Sequence, residues 1–219
     1  MKAFAIIALL LATLTVAALA GVFEDSWRYR MTVVVETPEG IKTGSAVREV
    51  TRQKGIHLTP EMMPHVEVKG EAVVIDLGKH GVLFMLIDGD YGADILFKMF
   101  PGKDKKGQIT LTQEEYPNFV RFRDLSDPKT VENVRRTEEQ DKFKNSDPRR
   151  PVIDFQNAFG SGVSIKEVTI EITSDSVTWR IENYLPWLKN IYGYLSGKHI
   201  SGPEWYERLD SGDFQRRPR

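Results

Sequence analysis

The sequence contains no cysteine among its 219 residues. The chain therefore has no disulfide, no thiolate nucleophile and no thiolate zinc site, and it lacks the acylated cysteine of bacterial lipoproteins. It also has no excess of charge of either sign, because 30 Lys and Arg against 31 Asp and Glu give a formal net charge of -1. A chain without a net basic field is not expected to bind nucleic acid.

The common catalytic and cofactor motifs are missing as well. The four histidines, at positions 57, 65, 80 and 199, show neither i, i+4 spacing nor an H-E-x-x-H frame. Ser161 lies in F-G-S-G-V-S, which lacks the G-x-S-x-G spacing of a nucleophile elbow, and no glycine-rich phosphate loop is present. We therefore predict no catalytic residue, no bound cofactor and no metal ligand, and we favour a protein that is not an enzyme.

Residues 1–23 form a long hydrophobic segment at the start of the chain. Lys2 precedes it, and the small-x-small sequence Ala18-Leu19-Ala20 lies near its end. Two interpretations fit this pattern: a cleaved signal peptide, or a hydrophobic helix that stays in the membrane as an anchor, which needs about 20 apolar residues. Both interpretations place the rest of the chain outside the cytoplasm, either in the periplasm or anchored to the inner membrane and facing the periplasm.

The sequence that follows, residues 24–205, predicts a single α+β domain. We expect a mainly antiparallel β-sheet of about five to seven strands, covered by a few short helices. Apolar residues at period two predict a strand from Arg28 to Glu36, and T-P-E-G predicts a turn into a second, antiparallel strand. Gly44 in that second strand indicates a bulge or a close approach of another backbone.

Two further strands have distinct burial patterns. The continuous apolar run V-L-F-M-L-I that starts at Val82 predicts a strand covered on both faces. The alternating stretch V-S-I-K-E-V-T-I-E-I predicts a strand with only one buried face. Its predicted inward residues are Val168, Ile170 and Ile172.

An aromatic stripe near the C-terminus predicts the last helix, from Tyr184 to Leu195. Its members recur at i, i+3, i+4, i+7, i+8 and i+11, and they are Tyr184, Trp187, Leu188, Ile191, Tyr192 and Leu195. This helix either covers the sheet or presents a face to a membrane surface or a protein partner, because Tyr and Trp favour half-wet interfaces. Residues 206–219 are predicted to form a polar, basic and frayed tail.

The acidic stretch Asp88-Gly89-Asp90, with Asp94 close behind, is the strongest candidate for chemistry. An EF-hand loop starting at Asp88 fails, because glycine, alanine and methionine occupy positions 5, 6 and 12. The D-x-D of haloacid-dehalogenase-type phosphatases fits poorly, because Gly92 stands where Thr or Val is expected; the D-x-D of glycosyltransferases is too short to be specific. We favour a turn followed by a helix cap at Asp90. The alternative is an extracytoplasmic metal-dependent hydrolase that uses Asp88 and Asp90.

Two stretches carry a resemblance to known proteins: V-V-V-E-T-P-E-G-I-K-T-G-S-A-V at 33–47 and S-V-T-W-R-I-E-N-Y-L-P-W-L at 176–188. They resemble a group of uncharacterised bacterial envelope proteins with an N-terminal hydrophobic segment, a V-E-T-P-x-G hairpin and a late L-P-W-L segment. The resemblance implies an exported or membrane-anchored domain and brings no catalytic residue with it. We therefore expect a non-enzymatic envelope protein with a binding or assembly role. Its expected contacts are the membrane, if residues 1–23 are not cleaved, and a protein partner at the aromatic stripe.

Overall fold

Two β-sheets dominate the structure, a computed structural model that describes residues 24–53, 66–87, 107–135, 152–197 and 207–218. The hydrophobic segment 1–23 and the acidic residues Asp88, Asp90 and Asp94 lie outside the described residues. The strands, in chain order, are β1 (Glu24–Thr37), β2 (Gly40–Gln53), β3 (Val66–Glu71), β4 (Val73–Asp76), β5 (Val82–Met85), β6 (Gln108–Thr110), β7 (Phe119–Phe122), β8 (Val131–Arg135), β9 (Val152–Asp154), β10 (Ser164–Ile172) and β11 (Gln215–Arg216).

The first sheet has the strand order β11-β3-β2-β1-β10-β6, and the second has the order β4-β5-β7-β8-β9. All described strand pairs are antiparallel except β8 with β9. The described helices are short. They are α1 (Phe155–Phe159), α2 (Ser211–Phe214) and the 3-10 helices Gly78–His80, Gln113–Glu115, Pro128–Thr130, Ile181–Asn183 and Pro186–Asn190.

The long β1–β2 hairpin forms the middle of the first sheet. Its turn lies at Pro38-Glu39, where Thr37 pairs with Gly40, and the Thr37 hydroxyl donates to the Gly40 carbonyl over 2.7 Å. Gly40 has a φ of 118°, which favours glycine. One face of β1 is buried at alternate positions; these residues are Trp27, Tyr29, Met31, Val33 and Val35. The predicted hairpin and its period-two face are therefore confirmed.

The hydrophobic core has two layers, one on each face of the second sheet. The first layer lies between the two sheets and contains Leu83 and Met85 of β5. The second layer lies on the opposite face and contains Phe84 and Leu86. Successive side chains of a strand point to opposite faces, so β5 contributes to both layers. The prediction of a strand covered on both faces is confirmed.

Residues from the C-terminal part of the chain form the second core layer together with the outer face of the second sheet. These residues are Ile181, Leu185, Leu188, Leu195, Leu209 and Phe214. The described part of the molecule thus has three layers: the first sheet, the second sheet and a covering layer of 3-10 turns and irregular chain. The overall prediction of an antiparallel α+β fold with short helices is confirmed.

Three details of the prediction are wrong. The described strands form two sheets rather than one sheet of five to seven strands. The segment from Tyr184 to Leu195 is not one helix; its helical part is the 3-10 helix Pro186–Asn190. The residues after 206 are not frayed where they are described, because α2 and β11 pack against the fold and Phe214 is 0% exposed.

Gly44 lies where β2 of the first sheet passes close to β4 of the second. A Cβ atom at this position would overlap the Val74 carbonyl oxygen and would lie 2.8 Å from Cγ1 of Ile75. The closest of these atoms, the Val74 carbonyl oxygen, belongs to the backbone of β4, so it can move away only if the second sheet moves. The predicted close approach at Gly44 is confirmed, and the only β-bulge in the described pairing of β1 lies elsewhere, at Val34/Val35.

We expect Gly44→Ala to lower the free energy of unfolding by about 3 kcal/mol, because the added methyl group pushes the two sheets apart. Gly78→Ala is the matched control, since Gly78 has open space around its Cβ position and a φ of 65°. The control should lose only about 1 kcal/mol, the cost of a left-handed conformation. Denaturant unfolding measures both values, and equal losses in the two variants would contradict the close packing of the sheets at Gly44.

Candidate functional site

The chain passes from the first sheet to the second at Ala72, between β3 and β4; we call this position the corner. The side chain of Arg48 in β2 is 1% exposed and lies against the corner. Its Nε donates to the Glu71 carbonyl over 2.8 Å, and its Nη2 lies 3.3 Å from the Met85 carbonyl and 3.4 Å from that of Leu86. Arg48 therefore joins the first sheet to the corner and to the end of β5.

Glu71 extends this connection to the C-terminal part of the chain. Its side chain is buried, and Oε2 accepts the backbone N–H groups of Arg180 at 2.5 Å and Ile181 at 2.8 Å. These bonds satisfy the carboxylate and fix the start of the covering layer. Arg48 and Glu71 thus connect the first sheet, the end of β5 in the second sheet and the start of the covering layer at the corner.

Trp187 fixes the middle of the covering layer. Its indole N–H donates to the Leu125 carbonyl over 2.7 Å, and its ring makes edge contacts with Phe122 and Phe214. A half-buried tryptophan whose ring packs on other aromatic rings and whose N–H is satisfied is typical of a packing role. The interactions of Trp187 therefore agree with the prediction that the aromatic segment covers a sheet, although not as a helix.

The last turn of the chain packs on the corner from the other side. The Ala72 N–H donates to the Phe214 carbonyl over 2.7 Å, and the Ile87 N–H donates to the Asp213 carbonyl over 2.9 Å. A further bond of 2.7 Å runs from the Ser211 N–H to the Gly193 carbonyl, so α2 is tied to the covering layer as well.

An open cleft of about 1310 Å³ lies between these elements, and we call it the groove. Its lining comes from β3, from the 3-10 helix Ile181–Asn183, from the end of the 3-10 helix Pro186–Asn190 and the chain after it, and from α2 with its N-cap and the chain after it. The lining residues are Val66, Glu67, Val68, Lys69, Glu182, Leu188, Lys189, Ile191, Tyr192, Asp210, Ser211, Gly212, Asp213, Gln215, Arg216, Arg217 and Pro218.

Most acidic side chains of the groove have partners within the fold. Glu182 binds Arg217 over 2.8 Å, while the Asp210 carboxylate accepts the Gly212 N–H at 2.6 Å. Asp213 in turn accepts the Asp210 N–H at 2.8 Å. Lys189 is exposed and has no carboxylate partner among the described residues. The lining as a whole carries four acidic and four basic side chains, so its charges balance, and Lys189 is a local cation in a groove without a net charge.

The groove also has an apolar rim. Tyr192 is 86% exposed, the most exposed of the large hydrophobic residues in the described part of the chain, and Ile191 beside it is half-buried. An exposed tyrosine next to a cleft is typical of binding surfaces, since the ring gives contact area and the hydroxyl gives a hydrogen bond.

A second polar cluster lies at the hairpin turn of β1 and β2. Glu39 binds Lys79 Nζ at 2.5 Å through Oε1 and His80 Nε2 at 2.7 Å through Oε2. The other ring nitrogen of His80 lies 2.6 Å from the Phe159 carbonyl. The hydrogen bond from Lys79, followed by that from His80, lowers the pKa of Glu39 to about 2. Both ring nitrogens of His80 face acceptors, so this cluster connects the turn to α1 and leaves no free nitrogen for proton transfer.

The structure brings only part of the predicted partner surface together. Leu188, Ile191 and Tyr192 line the groove, whereas Tyr184 and Trp187 pack against the second core layer. The predicted acidic site at Asp88 and Asp90 lies outside the described residues and stays a prediction. The β3 side of the groove and its C-terminal side were missed, because their residues are distant in sequence and mostly polar.

No group of three or more His, Cys, Asp or Glu side chains is placed to hold a metal ion within the described ranges. None of the helices in those ranges has the length and apolar character needed to cross a membrane. No protein-family model, curated protein or solved structure matches the chain. The groove is therefore the feature of the described structure that we connect with a function.

We expect Arg48→Met to lower the free energy of unfolding by about 3 kcal/mol, because three buried carbonyls lose a donor at the corner. Arg48→Lys is the matched variant: it keeps the charge but cannot reach all three carbonyls, so its loss should be intermediate. Denaturant unfolding followed by tryptophan fluorescence measures both. An Arg48→Met protein as stable as the original would contradict the role of Arg48 at the corner.

The lowered pKa of Glu39 predicts a dependence of stability on pH. The carboxylate contributes fully above its ordinary pKa of 4.5, and the contribution is lost as the pH falls towards about 2. Glu39→Gln should therefore show a shallower fall of melting temperature between these pH values than the original protein. Lys79→Met, which removes the hydrogen bond that lowers the pKa of Glu39 most, should make the fall shallower in the same way. Identical slopes for all three proteins would refute the assignment.

Proposed function

We propose that this chain is a non-enzymatic bacterial envelope protein that binds a partner in the groove. The observation that carries the proposal is the groove itself, with its exposed Tyr192 and its Lys189 without a described partner. Pockets for small molecules measure about 300–1,000 Å³, so a cleft of about 1310 Å³ suits a larger ligand.

The rigid surroundings of the groove support a binding role. Its three walls are connected by hydrogen bonds at Glu71, Ala72 and Ser211. A site whose walls are already fixed loses little conformational entropy when a ligand binds. The cleft is therefore suited to recognition without a large rearrangement.

The proposed location rests on the sequence. We propose that residues 1–23 are a hydrophobic helix that acts as a signal peptide or as a membrane anchor, and that the described domain lies in the periplasm. The resemblance of the hairpin at 33–47 and the segment at 176–188 to bacterial envelope proteins supports the same location.

Site-specific photo-crosslinking in intact cells tests the proposal. We expect p-benzoylphenylalanine in place of Tyr192 to give a discrete crosslinked product in the envelope fraction. The same group in place of Ile41 is the matched control, because Ile41 is also a large exposed hydrophobic residue, at 52%, but it lies in the hairpin and outside the groove lining.

Products that depend on position 192 would support a binding partner at the groove. The proposal fails if position 192 gives no product, if positions 192 and 41 give the same products, or if the product appears only in the cytoplasmic fraction.

A further inference from the structure

The β3 side of the groove is a sheet edge that is only partly covered. On one side β3 pairs with β2 along four residue pairs, from Glu49↔Lys69 to Arg52↔Val66. On the other side β11 covers only Gly70 and Glu71. Residues 66–69 therefore have no strand partner on the groove side among the described residues.

The register identifies which backbone groups point into the groove. The Ala72 N–H donates to the Phe214 carbonyl, so the backbone of Ala72 points towards the C-terminal chain. Backbone groups alternate in direction along a strand, which directs those of Gly70, Val68 and Val66 to the same side. Arg216 lies opposite Gly70, and Pro218 would be the next residue in a hydrogen-bonding position, opposite Val68.

Pro218 explains why the chain's own strand stops there. Proline has no N–H, so it cannot donate to the Val68 carbonyl, and β11 ends at Arg216. Within the described part of the chain, the N–H and C=O groups of Val66 and Val68 are left facing the groove. Val68 is only 6% exposed and Val66 is half-buried, so these groups are reached through the groove and not from open solvent. Unpaired donors and acceptors of this kind are a template for another strand.

We propose that the groove binds an extended polypeptide segment of a partner, which pairs with β3 as an added strand; this inference rests on the proposed function. The open edge lines a cleft whose other sides are the chain around Tyr192 and the chain around Gly212. The stretch of β3 without a described partner strand on this side is residues 66–69, and one short extended segment is enough to pair with it. The occupant we infer is therefore a peptide segment of a partner.

The charges of the groove specify the segment further. The carboxylates of Glu182, Asp210 and Asp213 are held by groups of the fold, while Lys189 is exposed without a described carboxylate partner. A segment that carries an Asp or Glu side chain near Lys189 gains an ion pair. The inferred ligand is thus an extended segment with backbone hydrogen bonds to Val66 and Val68 and an acidic side chain beside Lys189.

Selection from a displayed library of random peptides of about nine residues tests the inference on the full-length protein in detergent. We expect enriched peptides that contain Asp or Glu and that slow amide hydrogen exchange at Val66 and Val68 when they bind. N-methylation of alternate peptide residues should weaken binding about tenfold or more, because it removes hydrogen bonds of the added strand.

Val66→Pro is the decisive variant, and Val66→Ile is its control. Proline at position 66 removes the N–H that faces the groove. The hydrogen bonds between β3 and β2 are made by the backbone of the neighbouring residues, so the fold should be retained. Peptide binding should fall about tenfold, because one hydrogen bond to the added strand is lost. Val66→Ile keeps the N–H and should bind like the original protein. Circular dichroism and thermal unfolding establish that both variants are folded.

If Val66→Pro is not folded, the N-methylated peptides and the exchange of Val66 and Val68 still decide the question. The inference is overturned if no peptide is enriched, or if the enriched peptides bind Val66→Pro and N-methylated forms as tightly as the originals. A crosslinked product at Tyr192 together with unchanged exchange at Val66 and Val68 would leave the proposed function standing and reject strand addition alone.

Discussion

The architecture depends on a buried arginine at the place where the chain changes sheets. Arg48 extends from the first sheet and donates to carbonyl groups at the corner and at the end of β5. A buried guanidinium is costly to desolvate, so its donors must be satisfied by fixed acceptors. The need to satisfy the donors of Arg48 restricts the angle between β3 and β4. It therefore also restricts how one sheet packs on the other. Gly70 contributes by leaving room, since a Cβ atom there would lie 2.8 Å from Cγ of Arg48.

The corner also determines the shape of the groove. Glu71 holds the start of the covering layer, and Ala72 and Ile87 hold α2 and its neighbours through backbone hydrogen bonds. Two walls of the groove are therefore attached to the same few residues that join the sheets. A substitution at the corner should change the position of the groove walls, because direct hydrogen bonds and not a long loop connect the two places.

Local sequence patterns were enough to predict some of this structure. The hairpin, the doubly covered β5 and the close approach at Gly44 follow from period-two alternation, a continuous apolar run and a glycine inside a strand. The structure of the covering layer could not be predicted in this way, because an amphipathic helix and a run of 3-10 turns both place apolar residues at i, i+3. Leu185 and Leu188 are buried at that spacing, whereas Tyr192 is exposed. Phe214 was missed because it is the one aromatic residue in the polar stretch 210–219. Its burial depends on partners such as Phe84 and Phe122, more than 90 residues away.

The open edge of β3 is consistent with a protein that avoids self-association but accepts a single chain. Exposed sheet edges invite pairing with other copies, and proteins limit this with charges, proline and short edge strands. All three occur here: Glu67 and Lys69 lie on β3, Pro218 stops β11, and the opposite edge strand β6 has only three residues. The unpaired groups of Val66 and Val68 lie inside a cleft instead of on a flat edge. The charges and the proline that limit pairing between copies lie beside these two residues, so protection of the edge and recognition of one short extended segment involve the same part of the molecule.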